Sequence, residues 1–201
     1  LDGFSQTPNL SEFISDLDKK EGYLNFYWDD TKGKIYLEIK NLNQELIYIN
    51  YLSAGVGSND LGLDRGQIGG TRIIKFVKMG PKILMVQPNY KYRAISNNKE
   101  EIKSVEDAFA KSTLWGFQIV ASDKNKYLID ISDFLIRDSH RISQRLTQRN
   151  QGSFKVDKNA SSFDNLNSKN FPLNSELEAF LTFRGITKGS WLRSVSPDFE
   201  T

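Results

Sequence analysis

The sequence predicts a β-rich α+β fold, with antiparallel meander or hairpin sheets of sandwich- or barrel-like form and two inserted helices. Runs rich in β-branched and aromatic residues are joined by short turns containing glycine or proline, which is typical of β-hairpins. Aromatic residues make up 12% of the 201 residues, as expected for a folded, β-rich chain. Helical spacing interrupts the strands without alternating with them, which disfavours a parallel sheet.

Residues 1–20 are polar, with a short helical possibility at 10–17, and we expect an N-terminal arm or linker here. Residues 21–201 are expected to form a single β-rich, non-catalytic domain. The chain begins without Met and ends in a Ser-Pro-Asp turn sequence, which indicates a piece of a longer protein truncated at its C-terminus.

Most of the predicted strands form hairpin pairs around turns with glycine, proline, aspartate or asparagine. The predicted strands are 22–28, 34–39, 46–52, 71–78, 82–87, 114–121, 126–131 and 177–183, with 90–95 as an edge segment. One helix is expected at 100–111, and a second from Asp133 to about Gln148 with Ser132 as its N-cap. The Ser-, Asn- and Asp-rich stretch 152–170 predicts a long surface loop that Phe154, Val156 and Phe163 hold down.

Composition excludes several function classes. The net charge of +2 is too small for a nucleic-acid-binding field, so no nucleic-acid partner is expected. No apolar run approaches the ~20 residues of a membrane span. The absence of cysteine excludes disulfides, thiolate metal sites and a cysteine nucleophile.

The glycine-rich loop between two strands is the most distinctive segment. Six of the 14 glycines lie between Gly55 and Gly70. The dinucleotide fingerprint fails because Asp60 stands where the third glycine belongs and because a strand follows. The P-loop pattern fails because the lysine that it requires is absent. Calcium is a weaker alternative on ligand type alone, since the EF-hand register requires glycine at Arg65. An ordered structural connection is favoured, in which Asp64 pairs with Arg65 or Arg72.

The single histidine and a set of arginines are further candidate functional residues. His140 is expected to be a partly exposed, solvated helix residue and not a catalytic base, because no partnered nucleophile is near in sequence. Four arginines recur at every fourth position and predict a basic stripe on the second helix, either solvated or docking to a partner. They are Arg137, Arg141, Arg145 and Arg149.

Several motifs resemble a domain of uncharacterised function found in bacterial zinc-dependent metalloproteases, ahead of a metzincin-like catalytic domain. The motifs are Gly57-Ser-Asn-Asp-Leu-Gly-Leu-Asp-Arg-Gly-Gln-Ile-Gly-Gly-Thr-Arg72, Lys82-Ile-Leu-Met-Val-Gln-Pro-Asn89, Ser104-Val-Glu-Asp-Ala-Phe109, Tyr127-Leu-Ile-Asp-Ile-Ser-Asp-Phe-Leu135 and Phe171-Pro-Leu-Asn-Ser-Glu-Leu-Glu-Ala-Phe-Leu-Thr-Phe183. The resemblance covers about residues 20–198.

The resemblance implies an exported bacterial protein, located in the periplasm, on the outer-membrane surface or in the medium. It implies that the HExxH motif and the zinc lie in a downstream catalytic domain, so this chain has no catalytic residue, metal ligand or cofactor. The chain is then a scaffold that shapes the substrate cleft; an independent peptide- or glycan-binding module is the alternative. The expected contact with the catalytic domain, and possibly with peptide substrate, is made by Asn59, Asp60, Asp64, Arg65 and Gln67.

Overall fold

A computed structural model describes residues 7–195, in which ten strands, five short α-helices and one 3-10 turn are formed. The strands are β1 (Asp18–Lys20), β2 (Phe26–Asp29), β3 (Lys34–Ile39), β4 (Glu45–Tyr51), β5 (Ile68–Met79), β6 (Lys82–Gln87), β7 (Ser112–Asp123), β8 (Lys126–Asp130), β9 (Gly152–Asn170) and β10 (Ser175–Thr187). The helices are α1 (Leu10–Phe13), α2 (Lys99–Ala108), α3 (Ser132–Leu135), α4 (Ile142–Gln148) and α5 (Ser190–Val195), and the 3-10 turn is Asn59–Leu61.

Eight strands form one antiparallel sheet in the order β1-β2-β3-β8-β7-β6-β5-β4. Only residues 40–44 join β3 to β4, although four strands lie between them in the sheet. A flat sheet would separate β3 and β4 by roughly 24 Å, more than the ~21 Å that this link spans when extended. The sheet therefore curls into a barrel-like form, with Asn43 of the link donating its N–H to the Phe76 carbonyl at 2.9 Å. The predicted β-rich α+β class is confirmed.

The main core lies on the concave side of this sheet. Strands β2, β3, β5, β6, β7 and β8 all contribute buried aromatic or aliphatic side chains to this core, and Phe163 of β9 packs onto it. Phe163 packs against Phe26 and Trp28, with ring centroids 6.3 and 5.3 Å away. The two-stranded ribbon of β9 and β10 is thereby fixed across the opening of the sheet.

The predicted hairpins are confirmed, although β2 begins at Phe26, four residues later than expected. Three pairs of strands are antiparallel around short turns: β2 with β3, β5 with β6, and β7 with β8. Gly33 and Gly80 occupy the β2–β3 and β5–β6 turns with φ of 60° and 56°, a conformation that glycine adopts more readily than other residues. Residues 90–95, expected as an edge segment, are not a strand.

The described part of the expected arm, residues 7–20, packs against the convex side of the sheet. Leu10 is buried in a second core with Tyr27, Tyr36 and Leu128. β1 then pairs with β2 as an edge strand of the sheet. This segment has the form of an arm that is part of the folded unit, because its apolar side chains find partners there. The expectations for residues 1–6 and 196–201 lie outside the described residues.

The predicted second helix, Asp133 to Gln148, is wrong as a continuous element. The chain forms α3 and α4, separated by a turn in which Arg141 has a positive φ of 56°. The Asp138 carboxylate accepts hydrogen bonds from the N–H groups of Ile142, at 2.6 Å, and Ser143, at 2.9 Å. A carboxylate that satisfies the free N–H groups of a first turn starts a new helix, so a single helix is not formed.

The predicted loop 152–170 is also wrong, because this stretch is β9, paired with β10 along its length. Two short excursions from β9, at 158–161 and 165–168, contain six of its thirteen polar residues and match register shifts in the ladder. Ser161 and Ser168 close them, accepting from the N–H groups of Thr182 and Glu178 at 2.9 Å. At these β-bulges, serine hydroxyls replace the backbone carbonyls that would otherwise accept from β10. The polar residues that this needs made the sequence of a strand look like that of a loop.

Helix α2 is confirmed, with bounds close to those expected, and none of its residues is buried. None of the helices in residues 7–195 combines the length and the apolar composition that a membrane crossing needs.

Candidate interaction surface around the glycine-rich loop

The glycine-rich loop, residues 52–67, connects β4 to β5 and is held from within by leucines. Leu61 and Leu63 are each 1% exposed and pack with Leu146 of α4 and Leu192 of α5. The loop therefore has its own small core. Burial of each leucine contributes about 1.5–3 kcal/mol relative to exposure, enough to fix the loop in one conformation.

Two arginines of the predicted stripe bind the backbone of this loop. Arg145 Nη1 donates to the Gly62 carbonyl at 2.7 Å, and Arg149 Nη1 donates to the Asp60 carbonyl. Gly62 ends the 3-10 turn with a φ of 64°. Hydrogen bonds from a charged donor are stronger than those between neutral groups. These arginines hold the loop, so part of the stripe has a structural role.

The other two arginines of the stripe lie elsewhere, because the helix breaks before α4. Arg137 stacks over the Phe134 ring, 4.2 Å from its centroid, and donates to the Tyr48 hydroxyl at 3.0 Å. Arg141 is exposed in the turn before α4. The predicted continuous stripe is therefore wrong.

The five residues expected at the interface all lie in this loop. Asn59, Asp60, Asp64 and Arg65 are exposed, and Gln67 is partly buried. The Asp64 carboxylate makes no ion pair with the described residues, so the expected Asp64–arginine pair does not form. The Gln67 Oε1 is buried without a hydrogen-bond partner in the described chain. Whether these residues contact a partner stays a prediction.

An apolar surface that the sequence reading did not single out adjoins the loop on the convex side of β4 and β5. We call it the β4–β5 outer face, and it consists of Ile47, Ile49, Tyr51, Ile68 and Ile73, which are 43–67% exposed. Ile47 lies opposite Ile73 and Tyr51 opposite Ile68 in the ladder, so the side chains form one patch. Their neighbours Leu46 and Tyr48 pack on the core. The sequence does contain a signal for this surface, because β4 carries apolar residues on both faces.

His140 lies beneath the loop end of β5, and the expectation that it is partly exposed is wrong. It is 8% exposed and lies in the turn before α4, not on a helix. Its Nε2 is 3.3 Å from Asn50 Nδ2. Burial lowers its pKa below the ordinary 6.5, and the Arg145 charge acts in the same direction, whereas the Tyr51 backbone and Asp138 oppose the shift.

Gly69 makes the close packing of His140 possible. In the ladder Tyr51 pairs with Ile68 and Asn50 with Gly70, which leaves Gly69 as the extra residue of a β-bulge. A Cβ on Gly69 would lie 2.7 Å from His140 Cε1. Glycine is therefore required at this position because His140 approaches the backbone closely. The clustering of glycines in the motif suggested such a need.

The titratable side chains of residues 7–195 include no group of three or more His, Cys, Asp or Glu arranged to hold a metal ion.

Two family models match the chain. A domain of unknown function, DUF5118, matches residues 7–55, and another, DUF5117, matches residues 66–200. No curated protein and no solved structure matches. The two matched segments meet at the glycine-rich loop, yet β3 of the first pairs with β8 of the second, and β4 pairs with β5. They therefore build one sheet together, and because the larger match covers about two thirds of the residues, the chain belongs to the DUF5117 family.

Proposed function

We propose that this chain is a non-catalytic scaffold domain that docks, through the β4–β5 outer face and the adjoining glycine-rich loop, onto a catalytic domain of the same polypeptide. The observation that carries the proposal is the exposed apolar patch on β4 and β5. The rest of the proposal, that the parent is an exported bacterial zinc metallopeptidase, is supported by the resemblance of the loop motif.

The convex side of the sheet differs between its two halves. Around β2, β3 and β8 it is covered by the arm, with Leu10 against Tyr27 and Tyr36. Around β4 and β5 the equivalent side is apolar and open. Contiguous apolar patches of this kind mark contact surfaces in folded proteins. β4 is also the last strand of the sheet, so a partner can reach its backbone edge.

The loop supplies the polar border that such a contact needs. Asp60, Asp64 and Arg65 are exposed on a backbone that Arg145 and Arg149 hold in place. An apolar centre with a polar rim is the usual anatomy of a protein interface. A pre-formed rim lowers the entropy cost of docking. In this role the chain holds no cofactor, and zinc belongs to the partner domain.

The test uses the full-length parent polypeptide with Ile49→Asp, which places a charge at the centre of the patch. We expect peptidase activity to fall at least tenfold and limited proteolysis to separate the two domains more readily. Asp64→Ala and Arg65→Ala should each give a smaller loss. The matched control is Ile186→Asp, a side chain 72% exposed on β10 and outside the patch.

Circular dichroism and urea unfolding of each variant establish that the fold is intact. The proposal fails if a folded Ile49→Asp protein keeps full activity and resists proteolysis as the parent does. It fails equally if the Ile186→Asp control loses as much activity, because the effect then does not belong to this face.

A further inference from the structure

A second surface, separate from the β4–β5 outer face, lies where β5 runs beyond the end of β6. We propose that this cleft binds an extended peptide segment carrying a carboxylate side chain, which adds to the free edge of β5 as a further strand. The proposal does not rest on the docking function, because the cleft shares only Ile73 with the β4–β5 outer face.

The edge of β5 is open because its two neighbours differ in length. β4 pairs with β5 as far as Ile68, whereas the last pair between β5 and β6 is Lys75 with Val86. From Ile68 to Ile74 the described chain therefore supplies β5 with a strand partner on one side only. Successive residues of an antiparallel strand direct their N–H and C=O groups to alternate sides, so about half of these groups point to the open side.

The chain beyond β6 forms the opposite wall of a cleft of about 440 Å³. Pro88 turns the chain out of the sheet, and the wall is fixed where Asn89 Oδ1 accepts from the Lys91 N–H at 3.2 Å. The lining residues are Thr71, Arg72, Ile73, Gln87, Pro88, Asn89, Tyr90, Lys91, Ala110 and Ser112. The volume is within the roughly 300–1,000 Å³ of ligand sites, so a short peptide segment fits.

Charge selects the occupant. The lining contains two cations, Arg72 and Lys91, and no carboxylate. Lys91 Nζ lies 5.5 Å from the Tyr92 ring centre. Arg72 has no ion pair or side-chain hydrogen bond with the described residues. A guanidinium beside an open strand edge matches the bidentate geometry of a carboxylate. Main-chain pairing supplies affinity, and the carboxylate supplies specificity.

The strand edge favours a peptide over a glycan. Sugars need aromatic faces and side-chain polar groups, and Tyr90 is the single aromatic residue of the lining. A row of unpaired backbone groups instead matches another backbone. The surfaces also differ in place, since only Ile73 belongs to both the cleft lining and the β4–β5 outer face.

The experiment titrates the full chain with a fluorescent, acetylated pentapeptide, Thr-Val-Glu-Val-Thr amide, and follows anisotropy and backbone amide chemical shifts. We expect saturable binding, with shift changes confined to β5 and residues 87–91. Replacing the glutamate of the probe by lysine should abolish binding. Arg72→Gln should weaken binding about tenfold, the value of one charge-assisted hydrogen bond.

Lys82→Gln is the matched control, since it removes one positive charge at the end of β6 that lies away from the cleft. It should leave affinity unchanged. The proposal is overturned if the lysine-bearing probe binds equally well, if both charge variants lose the same affinity, or if shift changes map elsewhere. Binding of a neutral oligosaccharide at the same resonances would also overturn it, in favour of a glycan site.

Discussion

The guanidinium of Arg145 donates a hydrogen bond of 2.7 Å to the carbonyl of Gly62, which joins helix α4 to the 3-10 turn of the glycine-rich loop. The two residues are 83 positions apart in sequence. Gly62 also ends the 3-10 turn with a left-handed φ of 64°. The contact thus holds the loop at the end of its 3-10 turn, two residues before the exposed Asp64.

Removing this contact should loosen the loop without unfolding the sheet. In Arg145→Ala the Gly62 carbonyl loses a charged donor, and we expect the free energy of unfolding to fall by roughly 1.5–3 kcal/mol. Amide hydrogen exchange should accelerate most at residues 57–66. Gln144→Ala, an exposed neighbour on α4, is the control and should change neither quantity by much. Equal exchange rates in both variants would show that the loop is held by its leucines alone.

The packing of Gly69 against His140 gives a second prediction. In Gly69→Ala the new Cβ would clash with the Asn50 side-chain amide and would also meet the imidazole at 2.7 Å, and overpacking of this kind costs about 1–3 kcal/mol. Gly70→Ala is the control, because its Cβ would meet the end of the flexible Arg72 side chain at 3.2 Å. Urea unfolding of both variants measures the difference. Equal midpoints would mean that the bulge relaxes around the imidazole.

The sequence was a good guide where local chemistry and tertiary structure agree. Gly33 and Gly80 fix tight turns, so the hairpins around them were predictable from residue type alone. The sequence predicted the wrong element where a polar side chain takes the place of a backbone hydrogen-bonding group. Asp138 starts α4 in place of a continued helix, and Ser161 and Ser168 close bulges within β9. The serine contacts join β9 to β10, and sequence patterns do not contain such pairings. The Asp138 contacts span only four and five positions, so here a local capping signal competes with the helical spacing.

The candidate surface was predictable in part for the same reason. The glycine cluster identified the loop, because glycine at Gly69 answers a local steric need. The β4–β5 outer face was not identified, since alternation shows which side chains share a face but not which face the arm covers. That the arm covers the convex side near Tyr27 and leaves Ile49 open follows only from the topology.

His140 should make stability depend on pH near neutrality. Its pKa is below the ordinary 6.5 in the folded chain, so the unfolded chain takes up the proton first as pH falls. The stabilisation is present in full above 6.5 and is lost as pH falls from there toward the folded pKa. Urea unfolding of the parent should therefore show a lower midpoint at acidic than at neutral pH. In His140→Gln this part of the pH dependence should vanish. If the variant keeps the same difference in midpoint between acidic and neutral pH, the dependence belongs to another group.

The buried Glu38 gives a pH dependence at lower pH, through a different mechanism. Burial by itself raises its pKa, but hydrogen bonds from Tyr27 and Asn25, with the charge of Lys40, outweigh burial and hold it below 4.5. The Tyr27 hydroxyl donates at 2.7 Å and the Asn25 amide at 3.2 Å. Glu38 therefore stabilises the fold fully above 4.5, and this contribution is lost as pH falls through the folded pKa.

Replacing Glu38 by Gln isolates that contribution. Glu38→Gln keeps an acceptor for Tyr27 but removes the charge, so we expect roughly 1.5–3 kcal/mol lower stability at neutral pH. Its stability should then fall less steeply than that of the parent as pH drops below 4.5. Glu101→Gln, on the exposed helix α2, is the matched control and should follow the parent curve. If Glu38→Gln and the parent lose stability in parallel across that range, the acid sensitivity belongs to other carboxylates, and the Tyr27–Glu38 contact is not its source.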